Sequence, residues 1–131
     1  MTFVGESGSG HAVVMDGAPE HGGRDLGIRP MEMLLLGLGG CTAFDVVMIL
    51  NKSRQDIVDC EVLIDSDRAH EVPKVFTRIH IHFVISGNDL DAAKVEKAVN
   101  LSAEKYCSAS KMLSATAEIT HDFEIVELGK S

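Results

Sequence analysis

The residues best equipped for chemistry are three cysteines, Cys41, Cys60 and Cys107. A thiolate is the strongest nucleophile that an ordinary side chain offers near neutral pH, and its reactivity depends on what stabilises it. Cys41 follows Gly39-Gly40 inside a nearly continuous apolar stretch, so bulk is missing from the preceding turn and a second group can approach the sulfur. The same glycines would also serve a tight helix crossing. Cys107 lies in Tyr106-Cys107-Ser108-Ala109-Ser110-Lys111, where Ser108, Ser110 and Lys111 could donate to a thiolate and where an ordinary helix junction is equally well described. Cys60 alternates with Val58, Val62 and Ile64 on one strand face, the setting of a cysteine that packs as a small hydrophobe.

No CxxC pair and no His/Cys set at zinc-site spacing is present, so neither a metal centre nor a cofactor is expected. His80 and His82 share one strand face and read as a wet-face pair, whereas His121, on the apolar side of the last strand, reads as a hydrogen-bonded core histidine. Asp45 stands four residues after Cys41 and therefore on nearly the same helix face, where a carboxylate would oppose a thiolate. Its other reading is an ion pair at a helix or subunit interface.

The elements that must hold these groups are set by periodicity. Ala12-Val13-Val14-Met15 and the Asp16-Gly17 turn suggest one or two short strands, and Glu20 to Asp25 is a polar, Gly-rich loop. Pro30 suits the first position of a helix and Glu32 its first turn, and this helix should run to about Asn51. Apolar side chains cover nearly its whole circumference, so it must be enclosed on most sides. Alternation over Val58–Ile64 and over Phe76–Ile85 gives two adjacent strands, with Phe76 and Arg78 out of step with the apolar positions from Ile79 to Ile85. Asp89 or Asp91 can cap a second helix whose stripe passes through Ala92, Val95, Val99, Ser102, Ala103 and Tyr106, leaving Cys107 at its end. Ala117 to Ile125 alternate again as a closing strand. Residues 1–131 thus read as a single α+β domain, in the order strands, helix, strands, helix, strands.

Twenty acidic against twelve basic residues give a formal charge of -8, which removes the Coulombic basis for binding nucleic acid or anionic lipid. Lys94, Lys97, Lys105 and Lys111 are interspersed with carboxylates. The start Met1-Thr2-Phe3-Val4-Gly5-Glu6 lacks a basic n-region, and Met31 to Leu50 carries Glu32 and Asp45, so no secretion signal and no membrane span are expected. The compartment expected is the reducing cytoplasm, and a helix without a wet face in so short a chain calls for a second subunit.

The run Arg29-Pro30-Met31-Glu32-Met33-Leu34-Leu35-Leu36-Gly37-Leu38-Gly39-Gly40-Cys41, followed by Ser102-Ala103-Glu104-Lys105-Tyr106-Cys107-Ser108-Ala109-Ser110, resembles the OsmC/Ohr family. The resemblance covers the chain from about Gly8 onward. It implies an antiparallel sheet wrapping a long central apolar helix and an intertwined homodimer. It also implies reduction of organic hydroperoxides: Cys41 attacks, Cys107 resolves by forming a disulfide, Glu32 and an arginine assist, and a thiol reductant such as a dihydrolipoyl group restores both. Arg24 is the arginine that the resemblance favours, with Arg29 as competitor. An apolar pocket from Leu34, Leu38, Phe44 or a partner-chain residue would hold the alkyl part. Glu32 lies one residue later than the acid of the family's familiar members, and nine residues before Cys41, which on a regular helix puts the two on opposite sides. The alternative reading is an OsmC-fold protein that binds small ligands or serves a stress response with little peroxidase activity.

Overall fold

The computed structural model describes residues 1–129 and divides into two compact units, Met1–Gly37 and Leu38–Ser131. In the first, β1 (Phe3–Glu6) pairs antiparallel with β2 (Ala12–Met15), and the turn between them runs through Ser7 to Gly10 rather than through Asp16-Gly17. Asp16 has a different task. Its buried carboxylate accepts hydrogen bonds from the Thr2 hydroxyl and from the backbone N–H groups of Gly17, Arg24 and Leu26. The Thr2 hydroxyl above all, then those amides, hold it at about 2 against the opposing effect of burial, so this one side chain organises the Gly-rich loop.

Helix α1 (Pro30–Lys52) begins in the first unit and continues through the second. At its start the Arg29 backbone N–H donates to Glu32 Oε1 at 2.9 Å, the reach-back half of a capping box, which accounts for an acid at the third helical position. Within the second unit the helix buries Leu38, Thr42, Val46 and Leu50, one residue per turn on a single face. Gly39 lets strand β3 come close, because a Cβ there would sit 3.3 Å from Ile64 Cδ1. The opposite side stays uncovered: Phe44 is 78% exposed and Met48 47%. Within the second unit, the described elements therefore leave part of the apolar circumference unenclosed.

Strands β3 (Asp56–Arg68) and β4 (Phe76–Asn88) pair antiparallel, and β5 (Glu118–Glu127) adds to β4 in parallel, giving the order β3-β4-β5. The antiparallel sheet expected is thus mixed. The physical reason is the connection: α2 (Ala92–Leu101), a π-helical turn (Ser102–Tyr106) and α3 (Ser108–Leu113) return the chain to the other end of β4, as parallel pairing requires. The out-of-step Phe76 is explained by a register shift that skips Thr77 and puts Phe76 into the core with Ile79, Ile81, Phe83 and Ile85. Asp91, not Asp89, caps α2 by accepting from the Ala93 N–H. His121 packs half-buried with Nε2 2.9 Å from Asn100 Oδ1, the bonded histidine expected.

The outer face of this sheet carries a ladder. His80 Nδ1 is 2.6 Å from Thr120 Oγ1, Asp122 Oδ1 stands between His80 Nε2 (2.9 Å) and His82 Nδ1 (2.7 Å), and His82 Nε2 is 2.9 Å from Glu124 Oε1. Asp122 and then Glu124 raise the His82 pKa, and His82 followed by His80 lowers that of Asp122. A raised histidine contributes stability that is complete below the unfolded value near 6.5 and is lost as pH climbs through the folded one. A lowered aspartate contributes above its ordinary value and loses that as pH falls. The ladder is thus at full strength between those limits. His82→Gln should cost more stability at about pH 5.5 than at about pH 8.5 in urea unfolding, and an equal cost at both would show that the histidine charge is not involved.

Candidate functional site

Of the four residues assigned by resemblance, the second unit contains Cys41 and Cys107 and brings them together. The two sulfurs and a carboxylate oxygen of Asp45 all lie within 4.8 Å of one another. Cys41 and Asp45 come from successive turns of α1, half-buried on one face, and Cys107 is supplied by the junction after the π-turn. Both thiols are free.

What places Cys107 there is a pair of buried hydroxyls. Ser102, the first residue of the π-turn, is fully buried, with its Oγ 2.7 Å from the Oγ1 of the equally buried Thr42. With Thr42 as the donor in that pair, the Ser102 proton is free to go to Asp45 Oδ2 at 3.2 Å. The extra residue of the π-turn bulges the helix and ends it, and the Cys107 N–H then donates to the Ser102 carbonyl at 2.9 Å. Ser102 belongs to the amphipathic stripe read from the sequence, but its polar role escaped that reading. A serine at an apolar-periodic position was the available signal.

Cys107 is 4% exposed and caps α3, its sulfur accepting from the Ser110 N–H at 3.4 Å. Burial raises its pKa first of all, the adjacent Ser110 offsets part of this, and the neighbouring Cys41 raises it further. The Ser110 hydroxyl is buried and makes no hydrogen bond among the described residues. Cys60 lies on β3 in a separate groove with Gly40, Ala43, Phe44 and Val47, and burial, then Asp59, pushes its thiol up to about 11. It is half-buried on the face expected for a packing cysteine, although Val58 beside it is exposed because the strand is irregular between Ile57 and Asp59.

Asp45 has no Lys or Arg nitrogen within 4.0 Å among the described residues, so the ion-pair reading finds no partner among them. It faces the sulfurs instead. A carboxylate placed beside a thiol is a general electrostatic obstacle to the thiolate unless a cation compensates it.

Two open concavities border this group. One, of about 830 Å³, is lined by Tyr106, Cys107, Ser110, Met112, Ile119 and His121 among others. The second, of about 540 Å³, has Asp45 and the apolar Met48, Ile49, Leu101 and Tyr106 on its walls, with Lys52, Lys94 and Lys97 around it. These differ from the pocket expected: Leu38 is wholly buried and Phe44 lines the Cys60 groove, because Phe44 projects from a different side of α1 than Asp45.

Glu32 and Arg24 belong to the first unit. Glu32 is engaged by the Arg29 amide, and Arg24 is exposed, using its backbone N–H to bond Asp16. Arg29 pairs with Asp25 at 2.8 Å and donates to the Gly27 carbonyl, so it has a local structural role.

Comparison with known proteins places the chain. Residues 22–122 match the family described as OsmC-like protein, a span that takes in both cysteines. Protein YhfA of Escherichia coli K12 is 52% identical over 126 residues, covering 96% of this chain and 91% of YhfA. The crystal structure of a hypothetical protein from Aquifex aeolicus is 30% identical, with a TM-score of 0.78 over 96% of this chain and 89% of that one. The organic hydroperoxide resistance protein OhrB of Bacillus subtilis shares the fold at 18% identity, with a TM-score of 0.60 over 95% of this chain and 96% of that one. A family match through most of the chain and a relative half identical over nearly all of it lead to one conclusion: this chain belongs to the OsmC-like protein family.

Proposed function

We propose that the protein reduces organic hydroperoxides with Cys41 as the attacking thiol and Cys107 as the resolving one. Membership of the OsmC-like family supports a peroxide- and stress-related function, and the observation that carries the finer reading is the approach of those two sulfurs within 4.8 Å while Cys60 sits in another groove. The Cys41 thiolate attacks the outer oxygen of ROOH, the O–O bond breaks, and the alkoxide leaves as ROH after taking up a proton. Cys41 is then a sulfenic acid. The Cys107 sulfur displaces its hydroxyl as water and forms the disulfide. A dithiol reductant of the dihydrolipoyl type accepts the oxidising equivalents and regenerates both thiols.

Burial suits Cys107 to this order of events. A thiol held neutral by its surroundings does not compete for peroxide, and it meets an electrophilic sulfur only after Cys41 has reacted. The apolar walls around Asp45 and beside Cys107 would take the alkyl part of a hydroperoxide and favour it over hydrogen peroxide. Arg24 and Glu32 are the cation and acid that the family resemblance assigns to the attacking thiol, and the cytoplasm supplies the reducing setting. The uncovered apolar side of α1, with Phe44 and Met48, is what a homodimer would bury, since a charge of -8 favours neither nucleic acid nor a membrane surface as cover.

A second reading, a ligand-binding protein with little turnover, is favoured by Asp45 alone, because its carboxylate opposes the thiolate that must form.

Three measurements bear on this. Stoichiometric cumene hydroperoxide should produce a Cys41–Cys107 disulfide within one chain, read by non-reducing peptide mapping; no bond, or one that includes Cys60, would refute the assignment. In a chain retaining only Cys41 and kept free of metal, Asp45→Asn should speed alkylation near neutral pH by about three- to tenfold, and an unchanged rate would remove the case for the second reading. Light scattering at low micromolar concentration should give twice the chain mass, with Phe44→Glu shifting it toward the monomer; a wild-type monomer would show that α1 is covered by something else.

A further inference from the structure

The peroxide cycle uses both sulfurs but gives Asp45 nothing to do except hinder it. Yet Asp45 is held in place: the hydroxyl of the fully buried Ser102 donates to Asp45 Oδ2 at 3.2 Å and so fixes the carboxylate beside the two thiols. Three groups that each become anionic, converging within 4.8 Å, are what a cation needs. We infer that Cys41, Asp45 and Cys107 form a three-ligand site for a thiophilic divalent cation of the zinc type, with a fourth position open to water or to a ligand thiol.

The geometry is close to that required. Tetrahedral Zn–S bonds of about 2.3 Å put two sulfurs about 3.8 Å apart, so the groups need to close by at most about an ångström. Cys41 and Asp45 at i and i+4 on a regular helix supply two ligands from a rigid element, and the π-turn delivers the third. Two thiolates select a soft d10 ion over magnesium or calcium, and three protein ligands leave the open position typical of a reactive rather than a purely structural site. Supporting donors are in place: Ser102 on Asp45, the Ser110 N–H on the Cys107 sulfur, and the buried Ser110 hydroxyl, which has no other partner among the described residues and would satisfy itself on a metal-bound thiolate. On binding, two S–H bonds are replaced by two metal–sulfur bonds, both protons go to solvent, and no electron moves.

The consequence is competition at one site. The metal-bound dithiolate is shielded from peroxide, and the disulfide cannot bind the metal. The proposal does not depend on the peroxide reading, because it needs only the two sulfurs and the carboxylate. The His80–Asp122–His82–Glu124 ladder also gathers metal-ligating side chains, but its ring nitrogens are already engaged by oxygens of β5.

The test is titration of the reduced, full-length protein with Cd2+, following sulfur-to-metal charge-transfer absorption and competition with a chromophoric chelator. One Cd2+ per chain with a dithiolate band is expected. Cys41→Ser and Cys107→Ser should each lose about half of the band, whereas Asp45→Asn should keep it and weaken binding by at least about tenfold, with Asp45→Glu binding more tightly than Asp45→Asn. Cys60→Ala and the His80→Ala/His82→Ala pair should bind as the parent does, and circular dichroism should show every variant folded. A missing band at stoichiometric Cd2+, a band lost with Cys60→Ala, or undiminished affinity in Asp45→Asn would overturn the site. Peroxide-driven disulfide formation, measured separately in chelator-treated protein, keeps failure of this site distinct from failure of the catalytic reading.

Discussion

The arrangement of the site depends on a buried polar contact between two elements sixty residues apart. Thr42 on α1 and Ser102 at the head of the π-turn meet with their oxygens 2.7 Å apart and no solvent access. Hydroxyls so buried are costly unless they bond each other, and that requirement fixes the depth and rotation at which the α2 segment meets α1. Once Ser102 is fixed, Asp45 has its donor, and the π-turn that Ser102 begins leads to Cys107 beside Cys41. An apolar pair at these positions would pack equally well but would allow the helix to slide or turn, and the sulfurs would lose their register.

Around this contact the chain gives its thiols different settings. Cys60 is carried by β3 and its thiol is pushed up by burial and then Asp59, while Cys107 is buried yet receives the Ser110 N–H. The difference is local donor supply rather than depth. Asp45 introduces an opposing influence, because a carboxylate beside a thiol disfavours the thiolate form. The same placement that is unfavourable for an isolated thiolate is favourable for a bound cation, which neutralises all three groups together.

Helix α1 shows a second constraint. One face is buried through Leu38, Thr42, Val46 and Leu50, with Thr42 against Ser102, β3 approaches at Gly39, and among the described residues Phe44 and Met48 stay exposed. By length and composition this helix would satisfy the requirement for a membrane span, with a mean hydropathy of 2.1. Asp45 and the bonded Thr42 within it, together with the close approach of β3 at Gly39, mark it as the core helix of a folded layer instead.

Much of this was legible in the residues themselves. The helix start at Pro30, the alternation of β3, β4 and β5, the amphipathic stripe of α2 and the packing role of Cys60 come from short-range periodicity and propensity, which depend on neighbours within a turn or two. The two cysteine contexts were readable as family-like strings for the same reason. Long-range pairing was not. Whether β5 lies parallel to β4, that the helix before Cys107 bulges into a π-turn, that Asp16 ties a loop rather than turning a hairpin, and that Glu32 caps its own helix are decided by which backbone groups remain unpaired once distant elements meet. The convergence of Cys41, Asp45 and Cys107 belongs to that second class: the sequence by itself put Asp45 on the Cys41 face of a helix, and only the tertiary structure, through the buried Thr42–Ser102 contact, decided that a third ligand would arrive from the other end of the chain.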